Sequence, residues 1–187
     1  MPILSVFNHV SLDGYFTDTN GDMSWAYADD PEWNAYVAEN ASGEGRLVLG
    51  RETYDMMASF WPTPVAIETL PDVANSINAM PKLVFSRTLG EAAWQNTTVL
   101  KGELTTEMRR LKAEPGLDMT ILGSGSIVAQ LAQEGLIDEY QIVVNPVVVG
   151  KGRTLFEGVT GRPALKLVEA RSFTNGKVVL RYVPASA

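Results

Sequence analysis

The chain has no cysteine among its 187 residues and only one histidine, His9. The first absence excludes disulfides, thiolate nucleophiles and cysteine-based zinc sites. The second excludes histidine-rich metal centres, so no metal is expected, and the simplest role for His9 is a hydrogen-bonded strand residue. Positive charge is also scarce, with 15 Lys and Arg against 22 Asp and Glu, for a net charge of −7. That balance disfavours nucleic acid as a partner, and any anion site has to be local. There is no apolar run long enough to span a bilayer, no secretory leader pattern and no lipidation signal. The expectation is a cytoplasmic protein with no membrane partner.

What is present is ordinary globular material, 45% hydrophobic and 20% charged, enough for one domain over residues 1–187. Residues 3–10 form an apolar first strand, followed by the turn Ser11-Leu12-Asp13-Gly14, where Asp13 braces the turn. Asp29-Asp30-Pro31-Glu32 opens a helix. Asp30 suits the N-cap with Pro31 at the first helical position, and Asp29 with Glu32 has capping-box spacing. Strands follow at 46–49, 82–86, 97–100 and 119–122, with helices at 51–59, 104–113 and after Gly125. The stretch 65–81 reads as irregular with a short helix at 70–78. Tyr140 to Val149 reads as one long strand, with Pro146 implying an edge or a bulge. A hairpin closes the chain: Ala164–Phe173, a turn at Asn175-Gly176, then Val178–Val183. Alternating strands and helices predict an α/β fold with a mostly parallel sheet covered on both faces, and the hairpin adds antiparallel strands at one side.

Two strand-to-helix turns carry most of the functional information. Leu47-Val48-Leu49-Gly50 runs into Arg51-Glu52-Thr53-Tyr54, and Ile121-Leu122-Gly123 runs into Ser124-Gly125-Ser126-Ile127-Val128. A helix N-terminus has free N–H groups and a positive dipole end, which suits phosphate. Two such turns in one domain suggest a ligand with several phosphates, such as a dinucleotide. The Gly123-x-Gly125 pair does not make a Rossmann fingerprint: Val128 holds the third glycine position and the turn lies in the last third of the chain.

Six segments in order are more specific. They are Ser11-Leu12-Asp13-Gly14; Leu49-Gly50-Arg51-x-Thr53-Tyr54; Val84-Phe85-Ser86-Arg87; Leu122-Gly123-Ser124-Gly125; Gly135-Leu136-Ile137-Asp138-Glu139; and Asn145-Pro146-Val147-Val148-Val149-Gly150-x-Gly152-x-x-Leu155-Phe156. Together they resemble the dihydrofolate reductase-like superfamily, in the branch of the C-terminal reductase domain of the riboflavin-biosynthesis protein. The resemblance implies a three-layer αβα fold and NADPH bound along the carboxyl edge of the sheet. It implies that Gly50, Arg51 and Thr53 hold one side of the cofactor phosphates. Ser86 and Arg87 would read the adenosine 2′-phosphate. Gly123, Ser124, Gly125, Ser126, Ile127 and Val128 would surround the pyrophosphate, and Asn8, His9 and Phe16 would lie near the nicotinamide.

The implied chemistry is hydride transfer to a small heterocyclic, imine or carbonyl substrate, with reduction of 5-amino-6-(5-phosphoribosylamino)uracil the nearest named reaction. Classical dihydrofolate reductases use a carboxylate on the first helix. Here the matching position falls on Asn34, with Asp30 and Glu32 the nearest acids and hence the candidate catalytic pair. This argues against folate or pterin reduction and leaves open proton delivery by water. Trp25, Tyr27, Trp33, Tyr36 and Trp61 are candidates to line an aromatic pocket. A non-catalytic NADP-binding protein is the alternative of a different class. The branch also implies a homodimer, with the apolar strand Ile142–Val149 either pairing across a two-fold or lying in the core.

Overall fold

In the computed structural model, which describes residues 1–185, apolar strands are buried from both sides. Leu47 and Leu49 of β3 (Arg46–Gly50) pack into one cluster while Val48 packs into another. That two-sided burial is why these strands read as continuous apolar runs. The same holds for β4 (Lys82–Phe85), where Leu83 and Val84 face opposite sides.

These strands belong to an eight-stranded sheet of order β5-β4-β3-β6-β1-β7-β10-β9. Here β1 is Leu4–Ser11, β5 Thr97–Leu100, β6 Met119–Leu122, β7 Glu139–Asn145, β9 Leu165–Ser172 and β10 Val178–Pro184. Neighbours from β5 through β7 are parallel, and β10 and β9 are added antiparallel. A separate two-stranded ribbon pairs β2 (Tyr15–Asp18) with β8 (Gly152–Thr154).

Helices cover both faces. Met108 and Leu111 of α5 (Leu104–Ala113) and Ile127, Val128 and Leu131 of α6 (Gly125–Gln133) join Leu4, Val6 and Ile121 on one side. Tyr54 and Met57 of α2 (Arg51–Phe60) and Val73 and Ile77 of α4 (Pro71–Ala79) meet Leu47, Leu49 and Val84 on the other. Trp33 of α1 (Pro31–Ala41) continues that second layer over Val143 and Val179. The expected three-layer α/β architecture with its terminal hairpin is the architecture observed.

Four local expectations change. The stretch 65–81 holds two helices, α3 (Pro64–Thr69) and α4, and each takes proline in its first turn, where a missing N–H costs nothing. Asp30 is the N-cap of α1, accepting from Trp33 N at 2.8 Å, so the shifted box with Asp29 does not form. The strand expected through Val149 ends at Asn145, because Pro146 has no N–H to give the ladder. That strand is also interior, between β1 and β10, so Ile142–Asn145 cannot pair across a two-fold.

Candidate functional site

Parallel strands place their carboxyl ends on one edge, and the sequence candidates gather there. The two glycine turns are fused into one hydrogen-bonded unit. Gly50 N donates to Ser124 Oγ at 2.7 Å. Ser124 Oγ donates in turn to Thr53 Oγ1 at 2.9 Å, and Ser124 N donates to the same oxygen at 3.1 Å. Thr53 Oγ1 therefore accepts twice, and its own proton is left for a further acceptor. Asn8, almost fully buried, braces the unit from β1 by donating to Gly123 O at 2.9 Å.

Two glycines are required by this fusion. Gly123 has φ +57°, and a Cβ there would lie 2.9 Å from Thr53 Oγ1. At Gly125 a Cβ would lie 2.8 Å from the Phe16 ring. Phe16 is thus a buried wall against the start of α6. The side chains of Ile127 and Val128 are core, and their N–H groups close on Ser124 O. What α6 leaves open, among the described residues, are the N–H groups of Gly125 and Ser126 and the exposed Ser126 side chain.

Cations lie along the same carboxyl edge. Arg51 opens α2, paired with Asp55 at 2.6 Å. Ser86 accepts from Thr88 N and Leu89 N just past β4, and Arg87 beside it is exposed. The sequence reading missed Arg153 of β8. It lies 5.6 Å over the Phe16 ring, pairs with Glu52 at 3.1 Å, and helps line a cavity of about 200 Å³ with Gly125, Ser126 and Thr154. Its only signal was an unspecified position of the sixth segment, between Gly152 and Leu155.

His9 faces the opposite side of the sheet from Asn8, as strand alternation requires. Phe7 and Trp33 meet its ring edge-on at 5.8 and 5.6 Å, and Tyr36 and Phe173 extend the aromatic cluster. Of the other aromatics, Tyr27 is exposed and Trp61 packs with Phe60 and the second core. Asp30 and Glu32 are not brought to this edge as free carboxylates. Asp30 caps α1, and Glu32 accepts from the Thr174 hydroxyl at 3.2 Å with Arg171 at 3.8 Å. Asp13 braces its turn as expected and does more. It accepts from Ser11 Oγ, Val149 N and Gly150 N, and those bonds hold its carboxyl down to about 2.

Residues 2–179 match the family described as the RibD C-terminal domain. The chain belongs to that family. It is 30% identical to the uncharacterized protein YyaP of Bacillus subtilis, over 92% of this chain and 90% of that one. It is 28% identical to YwjB of the same organism, over 94% of each. A putative riboflavin biosynthesis protein from Shewanella sp. PV-4 shares the fold with TM-score 0.75, 24% identity, and coverage of 98% and 99% of the two chains. So does a diaminohydroxyphosphoribosylaminopyrimidine deaminase/5-amino-6-(5-phosphoribosylamino)uracil reductase from Thermotoga maritima, with TM-score 0.70 and 14% identity. That match covers 98% of this chain and 57% of the larger one. The chain and these neighbours share a dihydrofolate reductase-like fold.

Proposed function

We propose that this chain is an NADPH-dependent reductase of a small heterocyclic, imine or carbonyl substrate, nearest in type to a pyrimidine reductase of riboflavin biosynthesis. The observation that carries the reading is the strand order. β4, β3, β6 and β1 are consecutive, so Ser86 and Arg87, then Gly50 to Thr53, then Gly123 to Ser126, then His9 form one row. Three interstrand steps span roughly 14 Å, and the row runs from a cation suited to a 2′-phosphate, through the spare donors, to an aromatic-walled end.

The residues fit such a cofactor. The N–H groups of Gly125 and Ser126 and the Thr53 hydroxyl donate to pyrophosphate oxygens, and Arg51 and Arg153 offset their charge in an otherwise acidic protein. Arg87 pairs with the 2′-phosphate. When bound, NADPH supplies the hydride. The chain's part is to orient and to exclude water, with Phe16 and Trp33 as walls, and the proton comes from water because Asp30 and Glu32 are committed elsewhere. The first test is thermal unfolding with NADPH, NADH or neither. A ligand at 100 times its dissociation constant adds about 2.7 kcal/mol, and the expected result is a rise of roughly 5 °C or more with NADPH. No rise at millimolar cofactor sinks the reading.

We also propose a homodimer formed through the hairpin end of the sheet. All of β9 is exposed, including Leu165, Leu167 and Val168. Register and alternation put Leu167, Ala170, Leu180 and Tyr182 on one face, while Glu169 and Arg181 pair on the other. An apolar face of this kind suits a second copy. Sedimentation should give a dimer, and Leu167→Asp a monomer; a wild-type monomer at micromolar concentration excludes the assembly.

A further inference from the structure

Beneath α1 lies a buried polar cluster that the phosphate end does not use. Lys177, just after the hairpin turn, is 2% exposed. Its ammonium donates to Ala26 O at 2.7 Å and to Asn145 Oδ1, and sits 5.2 Å from the centroid of the Trp33 ring. Asn145, equally buried at the end of β7, uses Nδ2 to donate to Val10 O at 2.9 Å and Val143 O at 3.1 Å. An ammonium only donates and backbone carbonyls only accept, so this carboxamide has a single orientation.

That orientation points Nδ2 at His9 Nδ1, 3.5 Å away. Both Nδ2 protons go to the two nearer carbonyls, and an amide nitrogen does not accept, so a proton on Nδ1 would face a donor; the proton of the neutral ring therefore resides on Nε2. Nε2 has no protein partner among the described residues and is not fully buried. The charged neighbours do not favour an imidazolium. Lys177 repels one, and the α1 acids are spent on Trp33 N, Thr174 and Arg171. Burial and Lys177 together push the His9 pKa down to about 4.

We propose that Lys177 and Asn145 hold His9 as a neutral imidazole whose Nε2–H donates a hydrogen bond to a ring carbonyl of the substrate. His9 is then a recognition residue, with Lys177 and Asn145 its positioning residues. A heterocycle presenting an N–H at this point meets a donor with a donor and is rejected, which gives the pocket a preference among tautomers and ring edges. The inference rests on the reductase reading above.

The lone histidine makes the test direct, because long-range proton–nitrogen correlation spectra of the ¹⁵N-labelled full chain show one imidazole. In the free protein at pH 7 the expected pattern is protonated Nε2 and bare Nδ1, persisting down to about pH 4. A proton on Nδ1, or a midpoint near the ordinary 6.5, overturns the lock. Lys177→Met should raise the midpoint towards that ordinary value, and an unmoved midpoint removes Lys177 from the device. With NADPH present, 5,6-diaminouracil serves as a ring-carbonyl probe. It should shift the Nε2 resonance, and His9→Phe should weaken its binding about tenfold while His9→Gln, which keeps an N–H, weakens it less. An unmoved Nε2 in the saturated complex, or no probe binding at millimolar concentration, overturns the recognition role. NADPH binding, followed separately by its fluorescence, tells the two readings apart: its loss strikes the reductase, and its retention with an unmoved Nε2 strikes His9 alone.

Discussion

The two ends of the carboxyl-edge row solve opposite problems. At the glycine turns the protein keeps donors in reserve: Gly125 N, Ser126 N and the Thr53 hydroxyl are left over after the turns have tied themselves together. At the His9 end Lys177 and Asn145 are buried and partnered, and Nε2 of His9 is left without a protein partner among the described residues. An anionic ligand brings its own charge to spare donors, so those donors need only be close and unspent. A neutral ligand is told apart by the direction of one proton, and fixing one proton takes a rigid buried lock.

Acid should separate the two ends most strongly. His9 has a depressed folded pKa of about 4, so between pH 6.5 and 4 the unfolded chain binds a proton that the folded chain refuses. Stability then rises with pH through that window, by on the order of 3 kcal/mol for this group. His9→Gln should flatten the difference, as read by urea unfolding at pH 4.5 and 7.5; parallel slopes for both proteins refute the buried neutral ring. The phosphate end should break next. Gly125→Val drives side-chain atoms into the Phe16 ring and should cost about 2 kcal/mol by overpacking, together with NADPH binding, while the His9 tautomer stays as it was. Arg87→Ala sharpens the contrast further, removing a charge-assisted contact worth about 1.4 kcal/mol, or tenfold in NADPH affinity, with NADH unchanged. Equal loss for both cofactors removes Arg87 from the 2′-phosphate. Smallest is Asp30→Ala, which should lower stability by about 1 kcal/mol through the lost cap and leave catalysis intact. A hundredfold fall in turnover would instead return Asp30 to the chemistry.

The phosphate end was legible because its signals are local. A short apolar strand, a glycine, a hydroxyl and a helix start fall within eight residues at Leu47–Tyr54 and again at Ile121–Val128. The lock on His9 was not legible, because Asn145 and Lys177 come from 136 residues away and from across a hairpin. A lysine following Asn-Gly looks like surface, and an asparagine inside an apolar strand carries no sign of its partners. Prolines misled in a similar way. Residues 65–81 read as irregular apart from a helix at 70–78, yet Pro64 opens a further helix, a start set by the downstream residues rather than by proline itself. The edge that Pro146 offered as one reading of Tyr140–Val149 is not there, since only the sheet order reveals that β9, not this strand, is outermost on that side.

Asp13 looks at first like a turn residue, but its partners lie on two loops. One carboxylate gathers Ser11 at the end of the first strand with Val149 and Gly150, far along the chain. Those two loops lead directly into the ribbon of β2 and β8, which carries Phe16 on one strand and Arg153 on the other. The ribbon is therefore anchored at one end, by the Asp13 carboxylate and by the Leu12 N–H on Val147 O. The wall beside the α6 glycine and the cation above it thus share one foundation, so the shape of the site and the charge that faces it are set together.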